Sequence, residues 1–272
     1  MDLKTPKVIG IVGGMGPQAG NILFEQIILH TPAKNDQEHL SVLLASFPST
    51  ILDRTAYLNG QVSENPAYAI SEVIEKLETA GAQLIGMACN TSHVPAIMEL
   101  IQANLMARNS KVELLHMPLK TCLFIQNMYP SAKKIGVLAT NGVFSSKLYY
   151  TILEDMGYDL VVHDSSLQNQ IHRIIYDQDW GLKAHPQYLH PQALSLLNEL
   201  LDYFLQQGTD ALILGCTEFS IAFRQHQIQD ILLIDSTHCL AKALVNEALN
   251  QSDQMYAYTK QYRTDHVALC GR

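Results

Sequence analysis

The feature that most constrains this chain is a stretch it uses twice. Residues 80–95, AGAQLIGMACNTSHVP, and residues 208–220, GTDALILGCTEFS, each run from a glycine through a short apolar strand into a cysteine followed by small polar residues. Aligning Gly81 with Gly208 brings Cys89-Asn90-Thr91 onto Cys216-Thr217-Glu218. Ile9-Gly10-Ile11-Val12 recurs as Ile135-Gly136-Val137-Leu138 at nearly the same offset. Internal similarity over half the chain is far longer than any solenoid repeat, so it predicts a duplicated domain. Each cysteine falls where an apolar strand ends. In open α/β sheets that is where ligands bind and where a following helix directs its N–H groups and positive dipole end. A thiol in that field is expected to have a lowered pKa and to serve as base or nucleophile near neutral pH. One such cysteine is more often an inert small hydrophobe; it is the repetition that points to two thiols meeting at a cleft between two halves.

The 272 residues, 47% hydrophobic and 16% charged, suit one large or two ordinary domains. A net charge of -8 with no basic cluster argues against nucleic acid or an anionic membrane as partner, and leaves an anionic substrate to be held by local groups. No apolar run approaches a membrane span and no export signal opens the sequence, so a cytoplasmic location is expected. Five cysteines at wide spacing (Cys89, Cys122, Cys216, Cys239 and Cys270) form neither a disulfide framework nor a zinc ribbon.

Hydrophobic periodicity and breakers give an alternation of strands and helices. Strands are expected at 7–12, 40–47, 112–118, 134–139, 159–163 and 231–234, besides the two that carry the cysteines. Helices are expected at 19–30, from Pro66 to 80, at 96–108, onward from Pro118 to 129, at 145–156, 171–183 and 191–207, and from Asp235-Ser236-Thr237 to 249. β-α-β alternation implies parallel sheets with helices on both faces, hence an α/β fold. The first half is expected at 1–118, completed by 229–272 crossing back, and the second at 119–228. Gly14-x-Gly16-x-x-Ala19 loosely fits a dinucleotide fingerprint, but Pro17 removes a donor and no acidic residue follows at the expected strand end; an anion-binding loop for something small is the better reading. Arg54, in Asp53-Arg54-Thr55 just past a strand end, is either a fork for a substrate carboxylate or a solvated partner of Asp53. Lys183 is either a carboxylate partner or a solvated cation. His93, four residues after Cys89, lacks the second Cys/His pair a metal site needs, so no metal is expected.

Taken together, Ile9-Gly10-Ile11-Val12-Gly13-Gly14-Met15-Gly16-Pro17, Asp53-Arg54-Thr55, Ala88-Cys89-Asn90-Thr91 with His93, and Leu214-Gly215-Cys216-Thr217-Glu218 resemble the aspartate/glutamate racemase family, the two-cysteine amino-acid racemases that work without a cofactor. The resemblance covers nearly the whole length and lies closest to the aspartate racemases. It implies two pseudo-symmetric flavodoxin-like domains, an active site between them, Cys89 and Cys216 as the acid/base pair, no cofactor, and usually a homodimer. It further implies that Arg54 and Lys183 hold substrate carboxylates and that Asn90, Thr91 and Thr217 bind the amino-acid backbone, with Met15 of the glycine loop beside the substrate. The expected activity is therefore interconversion of L- and D-aspartate, with glutamate or a broad set of amino acids as the alternative within the class. A non-catalytic binding module for a small anionic ligand is the alternative outside it.

Overall fold

The computed structural model describes residues 5–185, 188–223 and 226–250. Cys270 and the end of the expected 229–272 segment lie outside them. The first half runs β1 (Ile9–Gly13), α1 (Pro17–His30), β2 (Val42–Ser46), α2 (Arg54–Leu58), α3 (Ala67–Thr79), β3 (Leu84–Met87), α4 (Pro95–Ala107), β4 (Glu113–Leu115) and α5 (Met117–Met128). The second runs β5 (Lys134–Ala139), α6 (Asn141–Ser145), α7 (Leu148–Asp155), β6 (Asp159–Leu160), α8 (Ser165–Tyr176), α9 (Pro191–Gln206), β7 (Ala211–Gly215), α10 (Phe219–Ala222), β8 (Gln227–Ile228), β9 (Ile231–Asp235) and α11 (Ser236–Ala248).

Each half builds its own sheet, ordered β2-β1-β3-β4 and β6-β5-β7-β9-β8. The first four positions correspond strand for strand, as the duplication predicts, and these strands are all parallel because helical crossovers connect them. The second sheet departs from the expected all-parallel form at its edge, where β8 runs antiparallel to β9. The reason is local. Gln229 and Asp230 alone join the two strands, Gln229 takes φ 50°, and a two-residue turn can only produce a hairpin. Gly81 and Gly208, the aligned glycines, both take positive φ (105° and 66°) and turn the chain out of a helix into the cysteine-bearing strand.

The segment beyond 229 divides. Its strand joins the second sheet through β7, while α11 packs on α1 and β3 of the first half. Leu240, Leu244 and Val245 of α11 bury against Leu23 and Ile27 of α1. At about 1.5–3 kcal/mol for each fully buried Leu, Ile or Val, this face is a main tie between the halves. The approach to β3 is close: a Cβ on Gly86 would lie 2.7 Å from Leu244 Cδ1. The closing helix of the first half, α5, packs in turn on α7 and β9 of the second. Each half thus lends its last helix to the other, and this fixes the two sets of strand ends relative to each other.

Two helices differ from their expected bounds. The 145–156 helix is two pieces, α6 capped by Thr140 and α7 starting after Lys147, which takes φ 55°. The 171–183 helix lies earlier, at Ser165–Tyr176, because Asp164 accepts from Leu167 N and sets the start. No helix among the described residues is long and apolar enough to cross a membrane.

Candidate active site

The C-terminal ends of the central strands of both sheets meet at one narrow cleft. Met15, Arg54, Cys89, Asn90, Thr91, Lys183, Cys216 and Thr217 all line it, so every site residue expected from sequence comes to the same place. Thr140, Tyr176, Gly215 and Glu218 complete the lining. The space among them is about 10 Å³, room for about one water.

On the first-half wall, Cys89 follows β3 and opens a single 3-10 turn at Asn90–His93; the α-helix itself begins only at Pro95. The expected helix N-terminus therefore does not act directly on this thiol. Its charged neighbour is Arg54, whose positive state burial opposes but Cys89 and Asp53 together uphold. Arg54 opens α2 and is only 6% exposed. That removes the solvated-pair reading, since Asp53 caps α2 by accepting from Ala56 N while Arg54 turns inward. Its terminal nitrogens donate to Met15 O at 2.9 Å and Leu52 O at 3.1 Å. Its Nε is buried without a hydrogen-bond partner, and the guanidinium interacts with Cys89. Met15 is fixed from the other side by Ser92 Oγ, 3.1 Å from its sulfur.

Asn90 is committed to the scaffold. Its Oδ1 accepts from Tyr149 OH at 2.6 Å, its Nδ2 donates to Ser236 Oγ at 3.0 Å, and Ser236 donates on to Leu214 O at 2.8 Å. This buried chain joins the loop after one cysteine strand to the strand that ends at the other cysteine. Thr91 Oγ1 meets Thr140 Oγ1 at 3.1 Å across the halves. His93 is buried with its ring 4.9 Å from that of His116, and burial, followed by the His116 charge, holds it neutral.

The second-half wall is built differently. Glu218 accepts from Cys216 Sγ at 2.8 Å through Oε2, and its Oε1 pairs with Lys183 Nζ at 2.5 Å. Lys183 reaches the cleft because the chain after α8 folds back, with Leu182 N and Lys183 N donating to Ile174 O and Ile175 O. Its ammonium also lies 5.3 Å from the centre of the Tyr176 ring, while Tyr176 OH donates to Asp53 Oδ2 at 3.0 Å. The expectation of a lowered thiol pKa fails at Cys216. Burial, then the Glu218 carboxylate, push it well above its ordinary value despite the opposing Lys183 charge. Burial works against the charge on both members of the pair, but each holds the other ionised, so Glu218 is shifted down and Lys183 up. The cleft thus holds a protonated thiol on a carboxylate on one wall, and a thiol beside a guanidinium on the other.

Several residues of this arrangement carry no site assignment from the sequence. Glu218 stands within the cysteine motif itself, and Thr140 at the position matching the first half's glycine loop; both signals were present. Tyr176 and Tyr149 carry no local signal, since their partners lie far away in sequence.

The family model for Asp/Glu/Hydantoin racemases matches residues 12–244. The chain belongs to that family. Among individual relatives of this racemase-family chain, the broad specificity amino-acid racemase RacX of Bacillus subtilis is 29% identical over 246 residues, covering 89% of this chain and 98% of that protein. A glutamate racemase of Pseudomonas aeruginosa is 31% identical over 144 residues, about half of either chain. The structure of Picrophilus torridus aspartate racemase superposes with a TM-score of 0.74 at 29% identity, covering 89% of this chain and 94% of that one. Racemase-family neighbours thus share the two-domain fold, and family membership places the chain among the isomerases.

Proposed function

We propose that this protein racemises a small acidic amino acid, aspartate in preference, by two-base proton transfer between Cys89 and Cys216 without pyridoxal phosphate. The observation that carries this reading is the meeting of both duplicated cysteines in one cleft that also holds Arg54 and Lys183. Racemisation needs a base on one side of Cα and an acid on the other; two like groups make the reaction reversible, each reprotonating what the other deprotonates. The carbanion formed without an electron sink requires cations and donors at the α-carboxylate, placed before the reaction begins. Lys183 and the hydroxyls of Thr91, Thr140 and Thr217 are suited to that task. The Arg54 guanidinium, which lines the cleft beside Cys89, suits the second carboxylate, where it discriminates by charge-assisted bonds. Asn90 acts in this reading through its backbone, because its side chain is already engaged. By the same family carry-over we expect the protein to work as a cytoplasmic homodimer.

Broad specificity is the second reading, favoured by the end-to-end similarity to RacX. Both are tested by incubating the purified protein, without pyridoxal phosphate, with single enantiomers of aspartate, glutamate and a panel of neutral amino acids, and resolving the products on a chiral column. Aspartate turning over fastest supports the first reading, and comparable turnover across the panel the second. No turnover of any of them overturns both. In that case equal alkylation rates for Cys89, Cys216, Cys122 and Cys239, unaffected by acidic ligand, favour a binding module.

A further inference from the structure

The two walls of the cleft offer their cations in opposite states. Arg54 spends its terminal nitrogens on backbone carbonyls and keeps Nε unpartnered. Lys183 is already taken by a carboxylate of this same chain, and that carboxylate uses its second oxygen to hold the Cys216 proton. Glu218 stands at the cleft rather than behind it: a Cβ on Gly16 of the opposite wall would be 3.8 Å from Oε1. A buried ion pair recovers its desolvation cost poorly, so a pair placed where an anionic substrate must bind is more readily explained by exchange than by bracing.

We infer that Glu218 is an internal occupant of the Lys183 carboxylate site, displaced by the substrate's carboxylate, and that displacement makes Glu218 the acceptor of the Cys216 proton. The inference rests on the racemase reading above. As Lys183 Nζ passes from Glu218 Oε1 to the substrate carboxylate, the Sγ–H bond of Cys216 breaks and an Oε2–H bond forms. The thiol becomes a thiolate, the carboxylate a carboxylic acid, and no proton is exchanged with solvent. The groups facing Glu218 fit this. Cys216 and Thr217 donate to it from the strand end, Lys183 faces it from the folded-back loop, and Gly16 brings no charge from the opposite half. Tyr176 stands over Lys183 from the end of α8, with Asp53 behind its hydroxyl. Freed of Lys183, the buried carboxylate loses the partner that keeps it ionised, so it takes up the nearest proton. Binding of an anion is thereby coupled to arming one of the two bases.

The test compares wild type with Glu218→Gln, which keeps the shape but neither the charge nor the basicity. Cys216 alkylation by iodoacetamide is mapped by peptide mass spectrometry across pH, and affinity for succinate, a dicarboxylate with no α-amino group, is measured by calorimetry. The Gln variant is expected to alkylate Cys216 with a midpoint at least about one pH unit lower, because the carboxylate is gone while Lys183 remains. It should also bind succinate about tenfold more tightly, because the internal competitor for a charge-assisted bond is gone. A merely bracing Glu218 predicts otherwise: weaker succinate binding, and alkylation that speeds up at every cysteine as the cleft loosens with no Cys216-specific fall in midpoint. A midpoint that stays or rises, or succinate affinity that stays or falls, overturns the inference. Should Glu218→Gln not fold, Glu218→Asp, which keeps the charge but cannot span both partners, should shift both measures in the same directions by less. Racemisation is followed on the same preparations. A wild type active on an amino acid with both measures unmoved removes this inference alone. An inactive wild type removes the racemase reading and the proton-transfer step with it, and internal occupancy then stands or falls on the succinate affinity.

Discussion

Replacing Tyr149 by Phe removes one hydroxyl and leaves the ring in place, which isolates a single link in the chain that joins the two cysteine loops. Tyr149 is 2% exposed and its hydroxyl donates to Asn90 Oδ1 at 2.6 Å. Asn90 is equally buried, and its amide nitrogen is already given to Ser236. Losing the hydroxyl leaves Asn90 Oδ1 a buried acceptor without its donor, at about 1–3 kcal/mol. At roughly 2–4 °C per kcal/mol for a chain of this size, a central loss of about 2 kcal/mol lowers the melting temperature by about 4–8 °C. Urea denaturation followed by circular dichroism should show the midpoint fall with an unchanged slope, since no more surface is exposed on unfolding. In an Asn90→Leu background the same substitution should cost less, because the acceptor is gone while the hydroxyl's neighbours Thr121 and Ser236 remain; the difference between the two costs is the coupling energy of the pair. A loss below about 0.5 kcal/mol in the wild-type background, or an equal loss in both backgrounds, would refute the reasoning.

Arg54→Ala should raise the KM for aspartate by about 30-fold or more relative to that for a neutral amino acid, as expected from losing a charge-assisted carboxylate contact; equal losses on both substrates would make Arg54 a scaffold residue that only holds Met15 O. Stability should fall as the solution is acidified below neutral. Burial, then the Lys242 and His226 charges, lower the His30 pKa from 6.5 to about 4, so between those values the unfolded chain binds a proton that the folded one does not. Melting temperature read from pH 7 to pH 4 should decline across that window, and His30→Gln should flatten the decline without abolishing it, since His93, His116, His163 and His172 are also shifted down, chiefly by burial.

The duplication was legible because its determinants are local. Gly81 and Gly208 need positive φ where helix gives way to strand, and apolar runs of strand length lead from each to its cysteine. That is enough to place both thiols at strand ends and, through pseudo-symmetry, in one cleft. The electrostatic state of those thiols was not legible. The expected lowering at Cys216 assumed a helix dipole as the main influence, whereas α10 is four residues long and the side chain two positions on turns back onto the sulfur. The other oxygen of Glu218 pairs with Lys183, delivered from 35 positions upstream by a loop that no periodicity describes. Arg54 could be read two ways because Asp53 adjoins it; only the fold shows that Asp53 caps a helix and so releases the arginine inward. The helix at Ser165–Tyr176 starts earlier than the apolar spacing of Ile171, Ile174 and Ile175 marks, because Asp164 caps it.

The most direct test of the two-base account is deuterium incorporation at Cα in D2O by wild type, Cys89→Ser and Cys216→Ser, starting from each enantiomer of aspartate. By the family resemblance, Cys216 takes the proton from the L-enantiomer and Cys89 from the D-enantiomer. The wild type should place deuterium in the inverted product with each turnover. Both serine variants should lose racemisation, since a serine hydroxyl without an activating partner is a poor base near neutral pH. Any residual exchange should be one-sided, with Cys216→Ser washing deuterium into D-aspartate and Cys89→Ser into L-aspartate. Near wild-type racemisation by either variant would contradict the account.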